Sequence, residues 1–278
     1  MVQDFLARYR NVLLVVGAVG LGVFVPEFGP TLRPLVTPLV IFLVFSSLRG
    51  LRPGEIDVSS YAALILLSLG ISYVVLPIGG IRIADLVLDD GAVVGFAIAL
   101  SAPTTAGSAI IWTRFARGDV QLATTASIVS LLVAPVVTPI VLTRLVGTQA
   151  AVPVGSILTD LAIIVGGGAL IAAIVPSDAL SPRTIDRGAT LAILLLIYTS
   201  VAGVEVTDVT GWHVLTVVGL SVLLVAFGLV ISALCERGLG LSRSRTIPLF
   251  LTSTLKNLGI ALLIALAYTD PLVVFSII

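Results

Sequence analysis

The sequence is poor in the side chains that soluble chemistry uses. Its 278 residues include one cysteine, Cys235, one histidine, His213, and one lysine, Lys256. A lone cysteine permits no internal disulfide, and a lone histidine has no second imidazole with which to share a metal. Charged residues make up 11%, against about 25% in soluble domains. Hydrophobic residues make up 58% and the mean hydropathy is +1.20. These values exclude a water-soluble domain and a disordered chain. A formal net charge of zero excludes a nucleic-acid binder that neutralises phosphates. There is no HExxH, no pair of aspartates within an apolar run and no glycine-flanked serine elbow, so an intramembrane enzyme is not expected. No metal and no cofactor are expected.

Apolar runs recur instead along the whole length, which predicts an all-α polytopic membrane protein. A helix crossing the hydrocarbon core needs about 20 mostly apolar residues. Nine spans are read, near Val12–Val25, Leu35–Leu48, Tyr61–Pro77, Ala92–Phe115, Val120–Leu142, Ile157–Ile174, Ala189–Val206, Trp212–Cys235 and Ile247–Tyr268. Pro34 and Pro38 soften the limits of the second. A tenth segment starts at Pro271 and stops at Ile278, too short to cross, and is expected to be a truncated tenth helix. Met1–Asn11 lacks a small-residue cleavage site, so no removed signal peptide is expected.

The arginines give the orientation. One side of the nine-span scheme holds Arg8, Arg10, Arg49, Arg52, Arg114, Arg117, Arg183, Arg187, Arg237, Arg243 and Arg245; the other holds Arg33, Arg82 and Arg144. The positive-inside rule then predicts a cytoplasmic N-terminus in the cell membrane. Trp112 and Trp212 fall near opposite faces, as interfacial anchors do.

The layout repeats coarsely: residues 1–147 hold five spans, and residues 152–278 hold four and the stub. Five helices per half would oppose the two halves, an inverted repeat of the kind found in many secondary transporters. The fourth span of each half is interrupted. The first reads GFAIALSAPTTAGSAIIWTRFARGD, with Ser101, Pro103, Thr104, Thr105, Gly107 and Ser108 in its middle. The second reads TIPLFLTSTLKNLGIALLIALAY, with Thr252, Ser253, Thr254, Lys256, Asn257 and Gly259. Proline removes an amide donor, so span 4 is expected to open at Ser101–Pro103 and restart at Pro103. Freed backbone is tolerated at that depth only where protein or a water-filled cavity satisfies it. The restarted half-helix would aim its positive dipole end at the midplane, which suits an anion. Small and hydroxyl residues also let helices pack closely, but two matched interruptions point to a binding site.

Lys256 lies between apolar flanks in the middle of span 9. A cation at that depth costs about 2.5–3.5 kcal/mol on insertion scales and is normally paired or faces a polar cavity. No acidic residue lies within a span at matching depth, so its expected partner is a backbone carbonyl at a helix break or a bound anion.

APTTAGSAIIWTRFARGDVQLATTASIVSLLVAPVVTP resembles the fourth and fifth helices of the bile acid:sodium symporter superfamily. In that superfamily a proline- and hydroxyl-rich break precedes an ARG-N/D motif and a Ser/Thr-rich helix. TSTLKNLGIALLIALA is similar to the ninth helix, and the resemblance covers nearly the whole chain. It implies a ten-helix inverted-repeat transporter. Helices 1, 2, 6 and 7 would form a panel, helices 3–5 and 8–10 a core, and broken helices 4 and 9 would cross beside a substrate cavity.

The departures from the sodium-binding pattern are specific. By alignment on Asn257, the glutamate of helix 9 is replaced by Thr252 and its glutamine by Lys256. One hydroxyl of helix 5 survives as Ser127, while the other is Ala123 with Thr124 beside it. The glutamine of helix 3 falls at Ser72. Ser108 survives on helix 4, followed by Ala109. A carboxylate has gone and an ammonium has entered. The resemblance thus implies a secondary transporter of a small organic anion, sodium-independent or proton-coupled, with Lys256 in place of a cation. Substrate contacts would come from Thr104, Thr105, Ser108, Thr254, Lys256 and Asn257. Coupling would involve Ser72, Ser108, Thr124, Ser127, Thr252, Ser253 and Lys256, around a break marked by Ser101, Pro103 and Gly107. The alternatives are a sodium-coupled anion symporter, an arsenite-type efflux permease, and a membrane binding or sensor protein that does not transport. The permease branch is expected to carry a cysteine in the helix 4 break and a glutamate in helix 9, and SAPTTAG and LTSTLKN have neither.

Weaker signals have plainer readings. His213 is an interfacial histidine and Cys235 a packing residue. Arg114, Arg117 and Asp119 set topology or gate the cytoplasmic mouth, Asp160 is within reach of the cavity, and Glu205 and Asp208 form a solvated loop. The expected partners are the bilayer and an organic anion; the oligomeric state is left open.

Overall fold

The computed structural model describes residues 2–49, 58–147, 153–176, 178–204 and 211–269, with Val273 and Ile277; side chains are described from Leu13 onward, His213 excepted. Glu205, Asp208, Arg52 and most of the tenth segment lie outside the described residues, as do the side chains of Arg8 and Arg10.

All regular structure among the described residues is helical, save one isolated backbone bridge. The helices are α1 (Val2–Phe24), α2 (Gly29–Leu32), α3 (Val36–Leu48), α4 (Val58–Gly70), α5 (Leu76–Ala84), α6 (Asp90–Ser101) and α7 (Ala106–Phe115). Then come α8 (Val120–Val146), α9 (Val154–Ile174), α10 (Pro182–Val201), α11 (Gly211–Leu239), α12 (Arg243–Thr254) and α13 (Leu258–Tyr268). Six helical stretches among the described residues are long and apolar enough to cross a membrane: Pro26–Leu48, Val58–Ala84, Val120–Val146, Val154–Ile174, Pro182–Val201 and Val214–Leu239. The shorter apolar stretches are Leu13–Phe24, Asp90–Ser101 and Leu258–Tyr268. The protein is a multi-pass helical membrane protein. Its exposed leucines, isoleucines and valines, such as Leu66, Val136, Leu170 and Leu229, are what a lipid-facing surface requires.

Several boundaries differ from the hydropathy reading, each for a local reason. The second span begins at Pro26, not Leu35. Prolines at 26, 30 and 34 each open a short 3-10 or α turn at one of its first two positions. The missing amide is harmless there and the ring is already at helical φ. The third span runs on past Pro77 to Ala84, because a π-turn at Ile71–Val75 absorbs the proline. The seventh span starts at Pro182, not Ala189, and ends at Val201. Ser181 caps it by accepting from the Thr184 amide at 3.2 Å, so a charged first turn that hydropathy discards is still helical.

The helix contacts form two sets, which meet where α9 packs on α8. α1 lies on α10, α10 on α3, and α3 on α9. Gly168 of α9 permits the last contact, since a Cβ there would collide with Val44. Arg49 ends α3 by donating to the carbonyls of Pro176 and Leu180 at 3.2 and 3.0 Å. A second set of contacts joins α8 to α4, α6, α7 and α12, with α11 against α5 and α12. α13 reaches both sets, touching α6, α10 and α3, and the main apolar core runs through it at Ile260–Ala265.

Candidate functional site

The fourth and ninth spans are both broken, and the breaks pair with each other. α6 ends at Ser101 and α7 starts at Ala106; α12 ends at Thr254 and α13 starts at Leu258. Across the gap the Thr105 amide donates to the Leu255 carbonyl at 3.1 Å, and the Asn257 amide donates to the Pro103 carbonyl at 2.8 Å. Thr104 and Lys256 therefore face one another in a two-bond antiparallel bridge. Backbone freed by each break satisfies the other, which is how unwound chain survives at membrane depth. This also corrects the expected restart of span 4. The helix resumes at Ala106 because Pro103 and Thr104 are held extended in the bridge.

Side chains from two further spans close round this crossing. The Thr104 amide donates to Ser130 Oγ of α8 at 3.0 Å, and its hydroxyl donates to the Thr252 carbonyl at 2.5 Å. Thr252 Oγ1 bonds the Pro248 carbonyl of its own helix and meets Ser68 Oγ of α4, both at 2.7 Å. The Tyr73 hydroxyl lies 3.2 Å from the Ser130 carbonyl and donates to it. On the α6 side, Thr138 donates to the Ser101 carbonyl at 2.9 Å, and Ser101 itself donates to Ile98.

Lys256 ends in this network. Its Nζ donates to the Ser72 carbonyl and to Ser72 Oγ, both at 2.8 Å, and lies 5.1 Å from the centroid of the Tyr73 ring. The acceptor exists because of the π-turn. The Leu76 amide bonds the Ile71 carbonyl, one residue further back than in an α-helix. The next amide would belong to Pro77, which has none. Ser72 thus loses both backbone donors that could reach its carbonyl, and the ammonium takes their place. A cation over an aromatic face gains further from the ring quadrupole. Among the described residues no carboxylate pairs with Lys256. The carbonyl partner therefore lies on the third span and not at either helix break.

The other candidates separate into those at the crossing and those away from it. Thr104, Thr105, Thr252, Lys256, Asn257, Ser72 and Pro103 share the network or the bridge. Asn257 also caps α13 by accepting from the Ile260 amide at 3.2 Å. Ser253 bonds Leu249 of its own helix at 2.6 Å and reaches the Ser68 carbonyl at 3.4 Å. Thr124 and Thr254 spend their hydroxyls on Val120 and Phe250, one turn back, as helical threonines do. Ser127 is wholly buried on α8 with no partner for its hydroxyl, one turn before Ser130. Gly107 and Ser108 are exposed on α7.

Sequence reasoning missed Ser68, Tyr73 and Ser130. Ser130 stands three residues after Ser127, on the same helical face. Tyr73 and Ser72 stand four and five residues before a mid-span proline, a position where freed carbonyls are to be sought. It also missed the structural part of Asp119. That residue caps α8 by accepting from the Leu122 amide at 3.0 Å and receives the Tyr61 hydroxyl at 2.9 Å. Its own amide donates to Ser244 at 2.7 Å. The turn before it needs Arg117 at φ 60° and Gly118, whose Cβ would strike Ile247. The ARGD stretch is a structural clasp between α7, α8, α4 and α12. Asp160 receives the Tyr268 hydroxyl at the end of α13.

Residues 11–274 match the SBF-like CPA transporter family. The chain belongs to that family. The match spans both interrupted helices and all six long apolar stretches, and it agrees with the bile acid:sodium symporter resemblance of the ARGD region. It makes the protein a transporter by family. No curated protein matches the sequence.

Proposed function

We propose that this SBF-like transporter moves a small organic anion across the cytoplasmic membrane by alternating access, without sodium, and that the Lys256 ammonium stands where relatives hold a cation. The observation that carries this reading is the Lys256 ammonium on the Ser72 carbonyl and hydroxyl, beside a crossing where a sodium ion would need oxygen ligands and negative charge. A tethered cation satisfies the same oxygens and needs no ion from solution. If its proton leaves during the cycle, transport is coupled to H+.

In this reading α1, the stretch from Pro26 to Leu48, α9 and α10 form the panel, and the remaining helices form the core. Residues 1–147 and 152–278 are two opposed repeats, and the N-terminus is cytoplasmic. The contacts of α10 with α1 and α3, and of α8 with the broken helices, support that division, and α8 against α9 is where panel would meet core. The two half-helix N-termini at Ala106 and Leu258 would receive the anion.

The test has two stages. Thermal stability of the purified protein is measured against a panel of carboxylates, sulfonates and arsenite, since a ligand of the folded state stabilises it. The anion that stabilises is then offered, labelled, to proteoliposomes in a counterflow assay. Accumulation supports a carrier, and binding without counterflow means a sensor or binding protein. A stabilising effect confined to arsenite would favour the permease reading.

A further inference from the structure

Asp160 is an acid inside an apolar helix. It is the seventh residue of α9, about 9 Å along the axis from the helix start at 1.5 Å per residue. An ionisable group in a spanning helix is costly and is kept where it has a partner and a task. The partner here is the Tyr268 hydroxyl, which donates to Asp160 Oδ2 at 2.5 Å. Tyr268 is the last residue of α13. The neighbouring hydroxyls of Thr159 and Thr269 are committed to carbonyls of their own chain segments, at Gly155 and Ala265.

The bond joins elements that the proposed function places on opposite sides of a moving boundary, α9 in the panel and α13 in the core. The long-range side-chain bonds described above stay on one side of it. Arg49 to Pro176 and Leu180, and Tyr198 to Val25, join panel to panel. Lys256 to Ser72, Thr104 to Ser130 and Tyr61 to Asp119 join core to core. Beside Asp160 the boundary is apolar and shut. Ile157 and Leu161 of α9 join Leu142 and Val146 of α8 in the main core, each 2% exposed or less. In the orientation set by the arginines, these ends of α8, α9 and α13 lie on the arginine-poor side.

A carboxylate at this seam can change partner, as an apolar side chain cannot. With α9 against α13 the tyrosine satisfies it. With the two helices apart, water entering the gap satisfies it instead. Neither state strands the charge, so the contact can be made and broken during a cycle. A seam of leucine and isoleucine alone has no such exchange and favours staying shut.

We propose that Asp160 and Tyr268 form a latch between panel and core, which holds the arginine-poor side shut and releases when water replaces the tyrosine. The latch rests on the panel-and-core division of the proposed function, but its test needs neither the anion nor a coupling ion. In a Cys235→Ser background, Ile157→Cys places a thiol three residues before Asp160, where the native side chain is 1% exposed. Its rate of reaction with a water-soluble maleimide, in purified protein, reports how often the seam opens. Tyr268→Phe keeps the ring and removes the bond, and should raise that rate about tenfold. Asp160→Asn keeps an acceptor without the charge and should raise it less. Asp160→Leu/Tyr268→Phe leaves no group for water to hold, and should return the rate to its starting value or below. Ala126→Cys, at a position 1% exposed between α8 and α4, reports general loosening and should react at one rate throughout. Unchanged rates in both single variants, an equal rise at Ala126→Cys, or a double variant as reactive as Tyr268→Phe overturns the latch. Counterflow separates the two readings. Rates as expected without counterflow sink the carrier and leave the latch, whereas counterflow with unchanged rates sinks the latch alone.

Discussion

At the scale of single residues the account turns on an ammonium and a serine. Ser72 offers Lys256 two oxygens, and one of them is backbone that no side-chain substitution removes. Ser72→Ala should therefore weaken the site without emptying it, at a cost of about 1 kcal/mol for the lost hydroxyl acceptor, seen as a fall in Tm of about 2–4 °C. Lys256→Gln can still donate to the Ser72 carbonyl but carries no proton to release. Its transport should lose the pH dependence of the wild type when uptake is measured from pH 5 to 9. Full activity with an unchanged profile would contradict a part for Lys256 in coupling. Lys256 stood out in the sequence because it is the only lysine and sits in an apolar run. Its partner was not legible. A carbonyl has no letter of its own, and the one that matters is exposed by a proline five residues away. Thr124 and Thr254 bond the carbonyl one turn back, as Thr252 also does, so a helical hydroxyl does not by itself mark a site.

At the scale of elements, the π-turn and the two breaks do the positioning. Pro77→Ala restores an amide to the third span and gives the Ser72 carbonyl a backbone donor. The variant should fold as stably as the wild type, since proline inside a helix is unfavourable, yet transport at least about tenfold more slowly, a barrier increase of about 1.4 kcal/mol. Wild-type uptake in Pro77→Ala would show that the ammonium does not depend on the turn. The ARGD clasp makes a separate prediction. Asp119→Ala removes the α8 cap and the Tyr61 bond, and should cost about 1–2 kcal/mol. A thermal shift assay should show a fall of about 2–8 °C, with Tyr61→Phe giving the smaller share. Both breaks were readable from their proline, glycine and hydroxyl clusters. That they pair was not, because the bridge joins residues about 150 positions apart through backbone atoms alone. The proline turns from Pro26 to Leu35 were hidden for a related reason: hydropathy sees proline as an interruption, whereas proline at the start of a turn prolongs the helix.

For the whole molecule, composition and arginine placement carried most of what the sequence could say. They gave a multi-pass helical protein and an orientation, which labelling can check. In a Cys235→Ser background, Arg82→Cys should react with an impermeant maleimide added outside intact cells, and Arg114→Cys should react only after lysis. The reverse pattern would invert the orientation. Substrate identity was beyond reach, since the crossing offers hydroxyls, amides and one ammonium, which suit many anions alike. The central claim is that a tethered ammonium replaces sodium. The most direct measurement is the initial uptake rate of the stabilising anion into proteoliposomes at fixed pH, with sodium chloride outside in one arm and potassium chloride in the other. The account predicts equal rates in the two salts. Uptake that needs sodium would contradict it, and would mean that a sodium site persists beside Lys256.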